Sequence, residues 1–378
     1  MKRFATISTL LLASTSFAVA QVPPPRKSAK RPTAAAQTAS PEPKFKAIWE
    51  PVNYKEDLDL TDVYFATDDE GWVTGEHGTI LHTKDGGNTW TPQLGGDPQS
   101  AEESIGHLRF VDRTHGWANQ GSGSNDKLLR TTNGENWEQV GKLGGNYGYW
   151  TDYIFTSDNV GVQVREQPFD IAQTRDAGKT WKGVLPGCAA KMEIEGLTRT
   201  VDCRLKSLHF PSPKVGYAIG TGAKALFALR TEDGGESWSV SVTPDVTDGQ
   251  STYFRQEVFF TSDNVGFVTL SDRKILTTSD GGKTWHGVVG TSNGRIRFTD
   301  PDVGWSFEDS KLTYTTNGGK TWSSRVFRFP ANVKSFSFPS RQRAYVVSNH
   351  GMVYRYRVVP FDYTAKGMID APMMPARQ

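Results

Sequence analysis

The stretch TSDGGKTW, residues 278–285, decides the fold, because the chain repeats it. Near-copies stand at TKDGGNTW (83–90), TRDAGKTW (174–181), TEDGGESW (231–238) and TTNGGKTW (315–322), and a shortened one at TTNGENW (131–137). Each reads as a tight hairpin turn. Its acid or amide (Asp85, Asn133, Asp176, Asp233, Asp280, Asn317) accepts backbone N–H bonds across the turn. Its glycines supply positive φ, and its tryptophan opens the next strand as a large anchor. Six copies at spacings of roughly 37–57 residues mark a radial repeat.

Upstream of each turn a second element recurs, an apolar strand followed by a turn and a Gly-aromatic strand. It reads TDVYFATDDEGWVTGEHGTILHT (61–83), HLRFVDRTHGWANQ (107–120), DYIFTSDNVGVQV (152–164), SLHFPSPKVGYAIG (207–220), EVFFTSDNVGFVTL (257–270), RIRFTDPDVGWSF (295–307) and VKSFSFPSRQRAYVVSNHGMVYRYR (333–357). Short alternating strands between regular turn signals predict an all-β propeller with four strands per blade. There are seven such elements and six turns. The expected fold is therefore seven-bladed, and a strand around 47–52 (AIWEPV) completes blade 7 and removes an exposed edge. Ten of the eleven tryptophans fall on repeat or clasp positions, which leaves Trp150 outside the pattern.

The expected domains are a signal peptide at 1–20, a Pro/Ala-rich disordered tether at 21–43, the propeller at 44–358 and a C-terminal tail at 359–378. Lys2 and Arg3, an apolar run and Ala18-Val19-Ala20 form the export signal. The expected localisation is therefore exported, in the periplasm or outside the cell. No later stretch reaches the ~18 apolar residues that a membrane span needs. The chain's formal charge is +2, and the basic tether holds more than that. A near-neutral body argues against nucleic acid as the partner.

Blade geometry sorts the loops. The repeated turns share one face, and the irregular segments 94–106, 140–150, 182–205 and 240–254 fall on the other. Uneven loops on a regular scaffold are where binding is placed. The candidate partner-binding residues are Asp126, Lys127, Trp150, Arg165, Glu166, Lys224, Arg273 and Lys274, each weighed against an ordinary solvated charge. Cys188 and Cys203 are expected to pair as a disulfide, since the chain is exported, and closing that loop stabilises by about 3 kcal/mol. No metal site, catalytic residue or cofactor is expected. His77 and His350 occupy equivalent turns, and His82 makes a poor metal partner for His77.

The turns match the Asp-box (BNR) repeat S/T-x-D-x-G-x-T/S-W. The longer unit, Gly-aromatic strand followed by GTILHTKDGGNTW, resembles the photosystem II stability/assembly factor-like family over residues 45–358. The resemblance implies a seven-bladed propeller outside the cytoplasm that binds membrane-protein precursors or other proteins without catalysis; a monomer is expected. The Pro/Ala tether and the cysteine-bearing insertion depart from the family's pattern. The alternative is a glycoside hydrolase of sialidase type, which shares these turns. Such an enzyme needs three arginines converging with a tyrosine and a glutamate in the channel mouth. Tyr354 and Tyr356 are its nominal nucleophiles, although strand alternation already explains both. Phe327-Arg328-Phe329-Pro330 is the nearest match to its Phe-Arg-Ile-Pro motif, and it stands after the last turn instead of before the first.

Overall fold

The computed structural model describes residues 45–121, 126–143, 150–165, 171–185, 187–245, 257–270, 275–288, 295–308, 311–326, 329–360 and 369–371. Among them, six four-stranded antiparallel sheets follow one another along the chain. They run from Leu60–Phe65 to Thr91–Leu94, Ile105–Phe110 to Glu138–Gly141, Trp150–Phe155 to Lys182–Leu185, Arg204–His209 to Ser239–Thr243, Glu257–Phe260 to His286–Val288, and Arg295–Phe298 to Ser323–Val326. The seventh sheet takes Val333–Ser340, Arg343–Ser348 and Val353–Pro360 from the end of the chain and Phe45–Pro51 from its beginning. Phe45 pairs with Pro360 and Pro51 with Tyr354, so the two ends close one blade of a seven-bladed propeller.

Two boundaries differ from expectation. The clasp spans 45–51 in place of 47–52. The segment 359–378 does more than trail: its first residues finish the third strand of blade 7, and Ile369–Ala371 adds a fifth strand to the clasp, with Ala47 opposite Ala371. The outer strand of a blade offers unpaired N–H and C=O groups, and this segment covers part of them. Three residues carry no periodicity by which they could have been recognised.

The blades are joined by an aromatic device that the repeat spacing sets. The inner strand of each blade leads to a phenylalanine: Phe65, Phe110, Phe155, Phe210, Phe260, Phe298 or Phe338. Six residues on stands a glycine in blades 1–6, and a Cβ there would fall 2.3–2.7 Å from that blade's own phenyl ring. The ring lies flat over the gap. The residue after the glycine then stacks on the phenylalanine of the next blade. Ring centroids are 4.3 Å apart for Trp72–Phe110, 3.7 Å for Trp117–Phe155, 3.5 Å for Tyr217–Phe260, 4.7 Å for Phe267–Phe298, 5.4 Å for Trp305–Phe338 and 3.4 Å for Tyr345–Phe65. The tryptophan of each repeated turn meets the same ring edge-on near 6 Å, as in Phe65–Trp90 at 6.2 Å and Phe155–Trp181 at 6.0 Å. Offset stacking and edge-to-face contact are the two favoured aromatic geometries.

At four junctions the stacking residue also carries a hydrogen bond across to the next blade. Trp72 Nε1 donates to Gly134 O (2.9 Å), and Trp117 Nε1 to Ala177 O (3.1 Å). Tyr345 Oη donates to Asp68 O at 2.6 Å, and Tyr217 Oη to Asp263 O. The junction of blades 3 and 4 breaks the rule, because Val162 replaces the aromatic residue. There Gln173 Nε2 supplies the bond, to Gly234 O at 2.9 Å. The same junction carries the insertion. Ala189–Ile194 and Leu197–Asp202 form a separate hairpin with a Cys188–Cys203 disulfide at its base. Ala190, Met192 and Val201 pack it onto the cluster around Val162, Val164, Leu205 and Leu208.

The repeated turns follow one hydrogen-bond scheme. Thr83 Oγ1 accepts from Gly87 N (2.8 Å) and donates to Asp85, whose carboxylate accepts from Thr89 N (2.9 Å) and Thr89 Oγ1 (2.7 Å). Bonds from Ser237 and Thr284 hold the Asp233 carboxyl well below its usual range and the Asp280 carboxyl at about 2. Each turn also bonds back to its own blade's first turn, as Gly86 N does to Asp69 O and Gly281 N to Asn264 O. Both sets of turns therefore share a face.

Two substitutions of opposite sign test this account. Gly266→Ala pushes a methyl into the Phe260 ring and is expected to lower stability by about 1–3 kcal/mol. Ala177 holds φ = 64° where most copies of the turn have glycine, so Ala177→Gly is expected to raise stability by about 1 kcal/mol. Urea unfolding midpoints at constant slope measure both.

Candidate functional site

The inner strand of every blade is an edge strand, with one row of N–H groups facing the central channel instead of a neighbouring strand. Its side chains fall on two levels. One residue before the phenylalanine, nearer the repeated turns, stand Tyr64, Arg109, Ile154, His209, Phe259, Arg297 and Ser337. Three residues before it, deeper in the channel, stand Asp62, His107, Asp152, Ser207, Glu257, Arg295 and Ser335. All seven inner strands line one cavity of 490 Å³, which reaches Thr156 and Pro211–Pro213 in the first turns.

The deeper level satisfies the edge N–H groups of the next blade. Asp62 Oδ2 accepts from Leu108 N (3.0 Å), Asp152 Oδ2 from Leu208 N (3.1 Å), Ser207 Oγ from Val258 N (3.2 Å) and Glu257 Oε2 from Ile296 N (2.9 Å). Nearer the turns, His209 Nδ1 accepts from Phe260 N (3.2 Å) and Ser337 Oγ from Phe65 N (3.0 Å). Between blades 2 and 3 the bond runs backwards, from the Tyr153 hydroxyl to His107 O.

Arginines neutralise the carboxylates. Arg295 Nη1 lies 3.0 Å from Asp62 Oδ1, Arg109 Nη2 lies 3.1 Å from Asp152 Oδ1, and Arg297 Nη1 lies 2.7 Å from Glu257 Oε1. Burial alone would raise the Asp62 carboxyl, but Arg295, Arg109 and the Ser335 hydroxyl overcome it and hold it well below the usual range. Burial, then the charges of Arg297 and Arg109, pushes His209 down to about 3. His209 is therefore neutral, with Nδ1 accepting and its proton on Nε2.

The residues singled out from the sequence lie elsewhere. Asp126 is fully buried, and its Oδ2 accepts from Leu143 N at 2.9 Å, so this expected surface contact is an internal strut. Lys127 pairs loosely with Glu102 at 3.7 Å. Lys224 is exposed in a turn at φ = 67°. Arg165 ends the second strand of blade 3, paired with Trp150, which opens that blade. Glu166, Arg273 and Lys274 lie outside the described residues. Tyr354 and Tyr356 are core residues, and Tyr356 sits edge-on to Trp49 at 5.4 Å. His77 turns to Ser100 O (2.6 Å), while His82 is buried against Trp72 at 4.7 Å. Among the described residues no three or more His, Cys, Asp or Glu are grouped to hold a metal, and no helix is long and apolar enough to cross a membrane.

Sequence reasoning passed over the channel because its polar residues sit inside apolar strands, as in TDVYF, EVFF and RIRF. The available signal was a polar residue three positions before each phenylalanine.

The family described as Photosynthesis system II assembly factor YCF48 matches residues 42–200. The chloroplastic photosystem II stability/assembly factor HCF136 of Oryza sativa subsp. japonica is 27% identical over 198 residues, covering 47% of this chain and 44% of that protein. The chain thus spans under half the length of that relative. Among solved structures, YCF48 bound to D1 peptide aligns with 84% of this chain and 97% of its own, at TM-score 0.58 and 20% identity. YCF48 from Cyanidioschyzon merolae aligns with 82% and 98%, at 0.57 and 19%. A GH74 xyloglucanase from Xanthomonas campestris aligns with 86% and 55%, at 0.56 and 16%. At such identities the solved structures speak to fold alone. The chain is a β-propeller, and its residues 42–200 are similar to the photosystem II assembly factor family.

Removing the Asp62 carboxylate takes the paired charge from Arg295 and leaves Leu108 N and the Ser335 hydroxyl without their acceptor. Asp62→Ala is expected to cost about 3–5 kcal/mol of unfolding free energy, and Asp62→Asn, which keeps an acceptor, less. A histidine in the unfolded chain titrates near 6.5. His209 refuses the proton until about 3, so stability present above pH 6.5 is lost as pH falls between those values. His82, lowered by burial, acts in the same sense. Urea titrations at pH 7 and pH 5 should show that fall, and His209→Gln should flatten it.

Proposed function

We propose that the chain is an exported, monomeric, non-catalytic Asp-box scaffold in the periplasm or outside the cell. It holds protein partners, membrane-protein precursors or complexes among them, on the face opposite the repeated turns. The observation that carries the non-catalytic part is the occupancy of the channel carboxylates. Every oxygen of Asp62, Asp152 and Glu257 already accepts a hydrogen bond from backbone, hydroxyl or arginine. A general acid needs a proton and a raised affinity for it, whereas Asp62 is driven the other way. The likeness to assembly factors supports a protein partner, and for the relative YCF48 that partner is D1 peptide. The disulfide supports an oxidising compartment. The hairpin at 189–202 supports the choice of face. It is stapled at its base and exposes Leu197 at 57% beside its tip, which suits contact with another protein.

A glycosidase is the second reading, and one observation favours it. Arg109, Arg295, Arg297, Tyr64 and Glu257 line the same cavity, which is the residue set a sialidase-type site needs. The pairing that would activate them is not formed. Tyr64 is stacked on Phe110 at 4.9 Å, while Glu257 is held by Ile296 N and Arg297.

The test compares the mature chain with a variant whose hairpin 189–202 is replaced by a short Gly-Ser turn, with Cys188 and Cys203 changed to serine. Affinity capture from the host's envelope should enrich membrane-protein partners on the mature chain and lose them on the variant. Release of a fluorescent leaving group from a glycoside panel, with no partner enriched, would replace the scaffold by the enzyme.

A further inference from the structure

We propose that the channel, at its end nearest the repeated turns, binds a small organic carboxylate on the Nε–Nη2 edge of Arg297. The site lies on the face opposite the hairpin and stands apart from the scaffold reading.

The channel is polarised along its length. The three carboxylates stand on the deeper level, while the level nearer the turns holds Arg109 and Arg297 among Tyr64, Ile154, His209, Phe259 and Ser337. Within the cavity, an anion entering from the turn end meets Arg109, Arg297 and the rings before the three lining carboxylates. Arg297 is prepared for it. Its bonds to Glu257 Oε1 (2.7 Å) and Ile296 O (2.6 Å) both run through Nη1. Nε and Nη2 have no partner among the described residues, and the side chain is 27% exposed on the cavity wall. Those two N–H groups form the edge that grips a carboxylate bidentately. The guanidinium is held 6.0 Å over the Phe259 ring, so little freedom is left to lose on binding.

Neighbouring groups add donors of the same sense. His209 keeps its Nδ1 on Phe260 N, which leaves Nε2–H as a donor. Ser337 accepts at Oγ from Phe65 N and retains its own O–H. Three arginines balance three carboxylates in the lining, so one added negative charge is tolerated better than two. The walls toward the turns are Phe65, Phe110, Phe155, Pro211 and Pro213, which suit a carbon skeleton better than a bare inorganic ion. A volume of 490 Å³ falls within the range of small-molecule pockets.

The probes are acetate, benzoate and glucuronate, titrated calorimetrically into the full mature chain at matched ionic strength, with chloride and inorganic phosphate as comparators. Saturable binding of a carboxylate, tighter than either comparator, is expected. Arg297→Lys keeps the charge beside Glu257 but loses the two-donor edge, and should weaken that binding about ten-fold. Arg297→Gln should weaken it further. Arg113→Gln, at an exposed pair with Glu70, should leave it unchanged, and so should the hairpin replacement. Absence of carboxylate binding, preference for phosphate, or an undiminished affinity in folded Arg297→Lys would each overturn the proposal.

Discussion

Seven strands face an open channel with half of their backbone donors unpaired, and the rest of the molecule depends on how those donors are met. A closed barrel abolishes its edges by pairing them, but a propeller keeps one inner edge per blade. Here the preceding blade supplies the acceptor. Asp62 serves blade 2, Asp152 serves blade 4, Ser207 serves blade 5 and Glu257 serves blade 6. Each bond ties one blade to the next at the point closest to the axis. A carboxylate placed in a half-buried channel must itself be neutralised, which brings in Arg109, Arg295 and Arg297. The charged channel thus follows from backbone geometry before any ligand is considered. Only the donors left over after that structural task are available for binding.

Farther from the axis the same junctions are held by rings. A glycine lets the phenyl ring of its own blade lie flat, the residue after it stacks on the next blade's phenylalanine, and at four junctions that residue's polar tip caps a carbonyl of the next blade. Two junctions show that these parts are separable. Between blades 3 and 4 Val162 provides neither stack nor bond. Gln173 restores the bond, and the disulfide-closed hairpin covers the apolar surface that remains. Between blades 6 and 7 the opposite holds. Trp305 still stacks on Phe338, but blade 7 has no repeated turn, and the buried Trp305 Nε1 finds no acceptor among the described residues. In blade 7 Ala344 takes the glycine's place, and that stack is the widest of the six.

The repeat made most of this architecture legible. Six turns, seven upstream strand–turn–strand elements and an orphan WEP segment were enough to infer the blade number and the closure. The turn acids could be assigned because Asp85, Asp233 and Asp280 act within four residues of themselves, and local chemistry survives in sequence. The channel could not be read in the same way. Asp62 and Arg295 are 233 positions apart and meet only because the ring closes. Asp126 misled for a related reason: it sits in a polar loop, and only the fold shows that its carboxylate turns inward to Leu143. The fifth strand at Ile369–Ala371 was equally hidden, since three residues acquire their register from the clasp alone.

The channel also explains why the same residue set invites two functional readings. Three arginines, a tyrosine and a glutamate are what a carboxylate-handling enzyme would gather, and the channel gathers them. Composition does not decide between catalysis and binding; the state of the acids does. A carboxylate whose two oxygens are filled by backbone and guanidinium donors has its charged form stabilised, and it resists taking the proton that acid catalysis requires. An arginine half-used by such a carboxylate is in the reverse position. Its remaining donors are oriented by the first bond and lose less freedom in making a second. The arrangement that fills both oxygens of Glu257 therefore prepares Arg297 as a ligand-binding group.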